Sequence, residues 1–132
     1  MSSVTITITD ESTSGVVTNK LEVSFASELT TVKDIIEARV STEVASYNNK
    51  LPAYFNGLIK PNDAEQTLNG YKLKHQRKVD VEKQIYSALD AFNKNGYFVL
   101  IDNIQAESLE QMVVINDKTT VSFVKLTPLV GG

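Results

Sequence analysis

The first third of this sequence changes its hydrophobic period once, and that change constrains the fold more than any other feature. Over residues 4–9, apolar side chains alternate with threonines, which is the two-residue period of a half-buried strand. Residues 10–20 are polar and contain Gly15, so we expect a loop there. Residues 21–25 alternate again. The pattern therefore predicts two strands that pair as a hairpin.

The period then lengthens to that of a helix. Thr30 or Thr31 can cap the first turn, and Thr31 with Asp34 resembles a capping box. The apolar stripe that follows has helical spacing, with one charged residue among its members: Val32, Ile35, Ile36, Arg39, Val40 and Val44. The chain therefore opens with the order strand, strand, helix.

The segment from about residue 48 to residue 95 differs from its surroundings. Turn signals are frequent in its first half, and Asn69-Gly70 is typical of a short hairpin. Asp80 is a candidate cap for a second helix, which Asn95-Gly96 would end. We interpret this segment as an insertion that carries its own helix.

The remainder of the chain returns to strand patterns. Residues 97–101 are aromatic and β-branched, residues 112–115 are a strand or a single turn, and residues 121–126 predict a last strand. We therefore expect one α+β domain over residues 1–132, with a helix over one face of the sheet. The first and last strands can pair in parallel because the helix supplies the crossover.

Composition excludes several classes of protein. With 42% hydrophobic and 22% charged residues the chain is not intrinsically disordered, and no apolar run is long enough for a membrane span. The amino terminus lacks the pattern of a signal peptide, so we expect a cytoplasmic protein. The net charge of −3 does not favour nucleic acid. There is no cysteine, and His75 is the single histidine, in a basic run that we interpret as a solvated turn; no metal site is predicted.

The last residues carry the chemistry that the sequence suggests. Pro128 cannot donate to a strand ladder, so it lets the chain leave the sheet as a flexible tail over residues 127–132. Gly131 and Gly132 have no side chains, so they can pass a narrow channel and bring a carboxylate to a nucleotide phosphate. A carboxylate becomes an acyl donor once it is adenylated, and a thiolate can then accept the acyl group. This chain has no phosphate-binding loop, so another protein must supply the adenylating site.

Three stretches resemble the ubiquitin family. Residues 107–132 look like the carboxyl-terminal part of ubiquitin, residues 29–36 are similar to the entry of its main helix, and residues 97–105 stand where its third strand is expected. The resemblance implies a β-grasp fold, a mixed sheet with a main helix, into which residues 48–95 are inserted. It implies no enzyme activity and no cofactor, since ATP and magnesium are used by the partner that activates Gly132.

The tail is also similar to that of the prokaryotic sulfur carriers of molybdopterin and thiamine synthesis. It departs from ubiquitin at Pro128 and Val130, where ubiquitin has arginines. The resemblance implies a bacterial ubiquitin-like modifier with its own activating and conjugating enzymes, a target protein and a deconjugating peptidase. The residues that the activating enzyme is expected to recognise are Thr127, Pro128, Leu129 and Val130.

A partner surface follows from matching strands with ubiquitin. If Val99 faces the helix, an apolar patch lies on the opposite face of the sheet, formed by Phe98, Leu100, Val124 and Leu126. The alternative is that the inserted helix folds back and covers this patch.

Two other functions stay open at this point. In a sulfur carrier, the same adenylate would become a thiocarboxylate. In a noncovalent binding module, the apolar patch would be needed and Gly132 would not.

Overall fold

A computed structural model describes residues 3–75 and 77–126. Strand β1 (Val4–Glu11) and strand β2 (Val17–Phe25) form the predicted antiparallel hairpin. The predicted loop bounds, residues 10–20, are wrong at both ends, because the strands extend further and only residues 12–16 separate them. Backbone ladder bonds do not require apolar side chains, so the polar ends of both strands continue to pair, with an irregularity between Asp10 and Glu11.

The main helix follows the short strand β3 (Leu29–Thr31). Helix α1 (Val32–Lys50) begins as predicted, because the Thr31 hydroxyl accepts from the Asp34 N–H at 3.1 Å. It ends six residues beyond Val44, the last residue of its predicted stripe, and Leu51 leaves it in the left-handed conformation (φ 44°). Residues 48–50, which we expected at the start of the inserted segment, are therefore helical.

The inserted segment contains both elements that the sequence predicted. Strands β4 (Ala64–Thr67) and β5 (Gly70–Leu73) form the hairpin at Asn69-Gly70, where Gly70 has φ +122°. Helix α2 (Val81–Asn93) starts at Asp80, whose carboxylate accepts from the Lys83 N–H at 3.1 Å. Asn95 adopts φ 60°, and the Gly96 N–H donates to the Ala91 carbonyl at 2.8 Å, which closes the helix.

The last part of the described chain completes the sheet. It contains β6 (Tyr97–Ile101), β7 (Ile104–Gln105), β8 (Met112–Val114) and β9 (Val121–Lys125). The main sheet has the order β2-β1-β9-β6-β7, while β3 pairs with β8 and β4 with β5 in separate two-stranded ribbons. The predicted parallel pairing of the first and last strands is confirmed, since β1 and β9 pair in parallel.

Both helices pack on the same face of this mixed sheet. The Arg39 guanidinium of α1 lies 4.6 Å from the centre of the Phe123 ring in β9. The Tyr97 hydroxyl of β6 donates to the Ala88 carbonyl of α2 at 2.6 Å, and Tyr97 also stacks near Phe123. The fold is therefore α+β, with two layers and one core between them. None of the helices among the described residues is both long and apolar enough to cross a bilayer.

Candidate functional site

The predicted tail begins where the central strand β9 ends. Lys125 is the last residue of β9, and Leu126 beyond it is 39% exposed. The residues predicted to react or to be recognised, Thr127, Pro128, Leu129, Val130, Gly131 and Gly132, lie outside the described residues. Their roles stay predictions, and the structure describes only the place from which they continue.

A buried cluster of charges lies beneath this point. Arg39 and Asp10 are both fully buried and form a two-pronged ion pair. The Arg39 Nη2 donates to Asp10 Oδ2 at 2.7 Å, while Nη1 donates to Oδ1. Such paired hydrogen bonds hold an arginine and a carboxylate in one fixed orientation. The pair therefore joins the middle of α1 to the end of β1.

Glu43 extends the cluster to the inserted segment. Its Oε1 accepts from Arg39 Nε at 2.9 Å, and its Oε2 accepts from the Leu58 N–H at 2.8 Å. From the other side, Lys125 Nζ donates to the Gly57 carbonyl at 3.2 Å and lies 3.8 Å from Asp10 Oδ2. The loop around Gly57 is therefore bonded both to α1 and to the end of β9.

The absence of a side chain at Gly57 makes this approach possible. A Cβ at this position would lie 2.1 Å from Cζ of Phe55 and 2.8 Å from Oε2 of Glu43. Neither distance is sterically allowed, so the ring and the carboxylate would have to move. Gly57, which follows Asn56 in a dipeptide typical of turns, thus allows the loop to pack on the charge cluster.

The burial of the cluster changes its acid–base behaviour. Burial would lower the pKa of Arg39, but the charges of Glu43 and Asp10 and their hydrogen bonds raise it above its usual range. Burial raises the pKa of Glu43, and the Arg39 charge only partly opposes this effect. Burial lowers the pKa of Lys125, again against the pull of Asp10. The guanidinium therefore stays charged, while the two outer groups are less easily ionised than in water.

A cavity of about 520 Å³ opens beside the cluster, at the carboxyl end of β1 and β9. The inserted segment forms one wall through Phe55, Gly57 and Tyr71, and Lys125 and Leu126 form another. Among the residues that the structure describes, no group of three or more His, Cys, Asp or Glu side chains could hold a metal ion. The cavity therefore has charged and apolar walls, and it adjoins the point where the tail begins.

The predicted partner patch lies on the opposite face of the sheet. Phe98 stands directly opposite Val124 in the ladder, and Leu100 lies two residues further along β6 on the same face. All three are partly exposed, whereas the alternating Tyr97 and Val99 are buried. Helix α2 packs on α1 and Tyr97 on the other face, so the arrangement does not favour the alternative in which it covers the patch. Leu126 lies beyond the strand and lines the cavity.

The buried cluster was not predicted as a functional feature, although the sequence spacing of two of its members indicates an ion pair. Arg39 and Glu43 are four residues apart and lie along the apolar stripe of α1, a spacing at which ion pairs form on helices. No local pattern predicts the partners of Asp10 and Lys125, because these partners are distant in the sequence. His75 is exposed, in line with the expected solvated turn.

Searches of protein families, of characterised proteins and of solved structures find no match for this chain. Any functional conclusion therefore depends on the sequence and on the geometry described above.

Proposed function

We propose that this chain is a ubiquitin-like protein modifier with a β-grasp fold. The observation that carries the proposal is the position of β9. This strand pairs in parallel with β1 at the centre of the sheet and ends at Lys125, and the sequence continues through exposed Leu126 to Gly131-Gly132. A sheet of order β2-β1-β9-β6-β7 with α1 crossing one face is compatible with a β-grasp.

The chemistry takes place at the α-carboxylate of Gly132, either as encoded or after removal of any residues beyond it. The carboxylate attacks the α-phosphate of ATP in an activating enzyme and releases pyrophosphate. A partner cysteine thiolate then displaces AMP and forms a thioester. An amine of the target protein finally displaces the thiolate and forms an amide. All catalytic groups belong to the partners.

The other predicted residues have supporting roles in this proposal. Residues 127–130 precede the two glycines in the sequence and are the part of the tail that the activating enzyme recognises. Phe98, Leu100 and Val124 form a noncovalent contact surface, since their partly exposed apolar side chains adjoin one another on the open face of the sheet.

The proposal is tested by the fragment that trypsin leaves on a target. Lys125 is the last lysine or arginine of the chain, so digestion of a conjugate leaves the seven residues 126–132 attached to the modified amine. We expect mass spectrometry of the native host to find this branched fragment on lysines. A chain lacking Gly132 should form no adduct while it keeps its far-ultraviolet circular dichroism. Adducts at the wild-type level from the shortened chain would reject the proposal.

Intact mass separates the modifier from a sulfur carrier. Replacement of one oxygen by sulfur on the isolated protein, without any protein adduct, would favour the carrier. The variant Leu100→Ser tests the alternative of a noncovalent binding module. Such a module would lose its partner when Leu100 is replaced, and it would keep its partner when Gly132 is removed.

A further inference from the structure

One end of the molecule presents an uncovered apolar surface on the ribbon of β3 and β8. Leu29 lies directly opposite Val114, and Met112 lies two residues further along β8 on the same face. These side chains are 54%, 71% and 58% exposed, respectively. Thr30 and Val113, which alternate with them, point to the interior and are buried. The outer face of the ribbon is thus apolar and unpaired among the described residues.

This end is also strongly acidic. Residues 95–117 contain no lysine or arginine and have four carboxylates, so their charge of −4 exceeds the −3 of the whole chain. All four are exposed: Asp102, Glu107, Glu110 and Asp117. Two exposed lysines adjoin them, Lys118 next to Asp117 and Lys33, whose N–H donates to the Leu109 carbonyl. Glu28, just before β3, is exposed as well. We call the ribbon and these five carboxylates the acidic end.

The inserted hairpin has the opposite character. Residues 66–79 have four exposed cationic side chains, Lys72, Lys74, Arg77 and Lys78, and the exposed carboxylate of the hairpin itself, Glu65 of β4, stands opposite Lys72 in the ladder. At the tip of the hairpin, Leu68 has a relative exposure of 104%, the highest of the exposed large apolar side chains. We call this segment the basic hairpin.

The two surfaces lie at opposite ends of the central strands. The basic hairpin is bonded through Tyr71 to Phe55 and borders the cavity at the carboxyl end of β1 and β9. The acidic end follows Phe25, which pairs with Val4 at the amino end of β1. Asp102 accepts from the Thr120 N–H, just before β9 begins. One molecule therefore presents complementary charges at its two ends, each beside exposed apolar side chains.

We propose that copies of this chain associate head to tail, with the basic hairpin of one copy on the acidic end of the next. The exposed Leu68 contacts the apolar face of the ribbon, and the surrounding charges select the pairing. A contact between two like ends would oppose charges of the same sign, so symmetric dimers through either end are disfavoured. Because the two contacting surfaces differ, the contact is heterologous and can add further copies.

Sedimentation velocity over a concentration series tests the proposal. At about 0.01 M salt, where the Debye length is about 30 Å, we expect the mean mass to rise with concentration. The association should weaken steeply towards about 0.5 M salt. A wild-type protein that remains monomeric up to its solubility limit at low salt would overturn the proposal.

Charge reversal gives the sharper experiment. The variant Lys72→Glu/Lys74→Glu lowers the charge of the basic hairpin by four, and Glu28→Lys/Glu110→Lys raises the charge of the acidic end by four. We expect each variant alone to associate about tenfold or more weakly than the wild type. An equimolar mixture should form heterodimers, because each variant supplies the end that the other lacks. A mixture that stays monomeric, when both variants are folded, would contradict a head-to-tail contact.

Matched controls separate this contact from effects of net charge. Lys20→Glu/Lys50→Glu changes the charge by the same amount as the hairpin variant, but both lysines border the groove between β2 and α1. This control should associate like the wild type.

Leu68→Ser should weaken association, while Tyr86→Ser, at a side chain 73% exposed on α2, should not. Equal effects of the hairpin variant and its lysine control would refute the proposal. The C-terminal chemistry is independent of these outcomes, since none of the variants alters residues 127–132.

Discussion

Arg39 pairs with two carboxylates in the interior, of which Asp10 is fully buried and Glu43 is 9% exposed. A buried ion pair contributes little compared with a well-packed apolar group, but the loss of one partner leaves uncompensated charge in the interior. Loss of the Arg39 guanidinium would leave the carboxylates of Asp10 and Glu43 without the cation that they share.

We therefore expect Arg39→Met to lower the free energy of unfolding by about 3–5 kcal/mol, as measured by urea denaturation. The matched control is Lys33→Met, which removes the exposed pair between Lys33 and Glu37 on the same helix. An exposed pair of this kind contributes at most about 1 kcal/mol. Equal losses for the two variants would contradict the structural role of the buried cluster.

Glu43 gives the cluster a specific dependence on pH. Burial raises the pKa of Glu43 in the folded chain above its ordinary value of 4.5. The folded state therefore binds more protons than the unfolded state between these two values, and its stability falls as pH rises through that window. Above the pKa of Glu43 in the folded chain, the contribution of this residue to stability no longer changes with pH.

The variant Glu43→Gln lacks this titration. Urea denaturation from about pH 4 to about pH 8 should show that wild-type stability, relative to the variant, decreases as pH rises. Other carboxylates cancel in this comparison because both proteins contain them. A relative stability that rises with pH would mean that the charged form of Glu43 is favoured on folding.

The inserted segment is part of the core at the scale of elements. Phe55 is 1% exposed and meets the Tyr47 ring of α1 edge-on, with ring centroids 5.1 Å apart. Leu58, Leu73 and Val79 from the same segment are also buried. An appended loop would not bury side chains in this way, so the segment stabilises the helix on which it packs.

We expect Phe55→Ala to cost about 3–5 kcal/mol of unfolding free energy, because the cavity it leaves is enclosed by α1 and β5. Leu68→Ala, in the same segment but fully exposed, should change stability by less than about 0.5 kcal/mol. Thermal and urea unfolding of the two variants measures the difference. A tolerated Phe55→Ala would show that the segment folds apart from the core.

At the scale of the whole molecule, the fold depends on contact between the two ends of the described chain. β9 lies between β1 and β6, and the Thr9 and Ser122 hydroxyls are 3.0 Å apart although 113 residues separate them. β4 and β5, in contrast, form a ribbon of two four-residue strands at the surface. Structures of this kind open locally more readily than a central sheet.

Native-state hydrogen exchange should separate these two regions. We expect the paired amides of β1 and β9 to exchange only with the free energy of global unfolding. The paired amides of β4 and β5 should exchange through smaller openings that depend little on denaturant. Equal protection in both regions would indicate that the hairpin unfolds only together with the sheet.

Local patterns by themselves determined the type and order of the main elements. The change of period defined β1, β2 and α1, and Thr31, Asp80 and Asn69-Gly70 marked caps and a turn that the structure confirms. These signals depend on residues only a few positions apart, so they can be recognised in a linear sequence.

Only the tertiary structure decided which distant residues meet. Asp10 belongs to a strand although its surroundings read as a loop, and its partner Arg39 lies 29 residues away. The same holds for Lys125 and Gly57, and for the packing of Phe55 on α1. A buried charge is stabilised by the partner that the fold brings to it, and the period of a sequence contains no information about that partner.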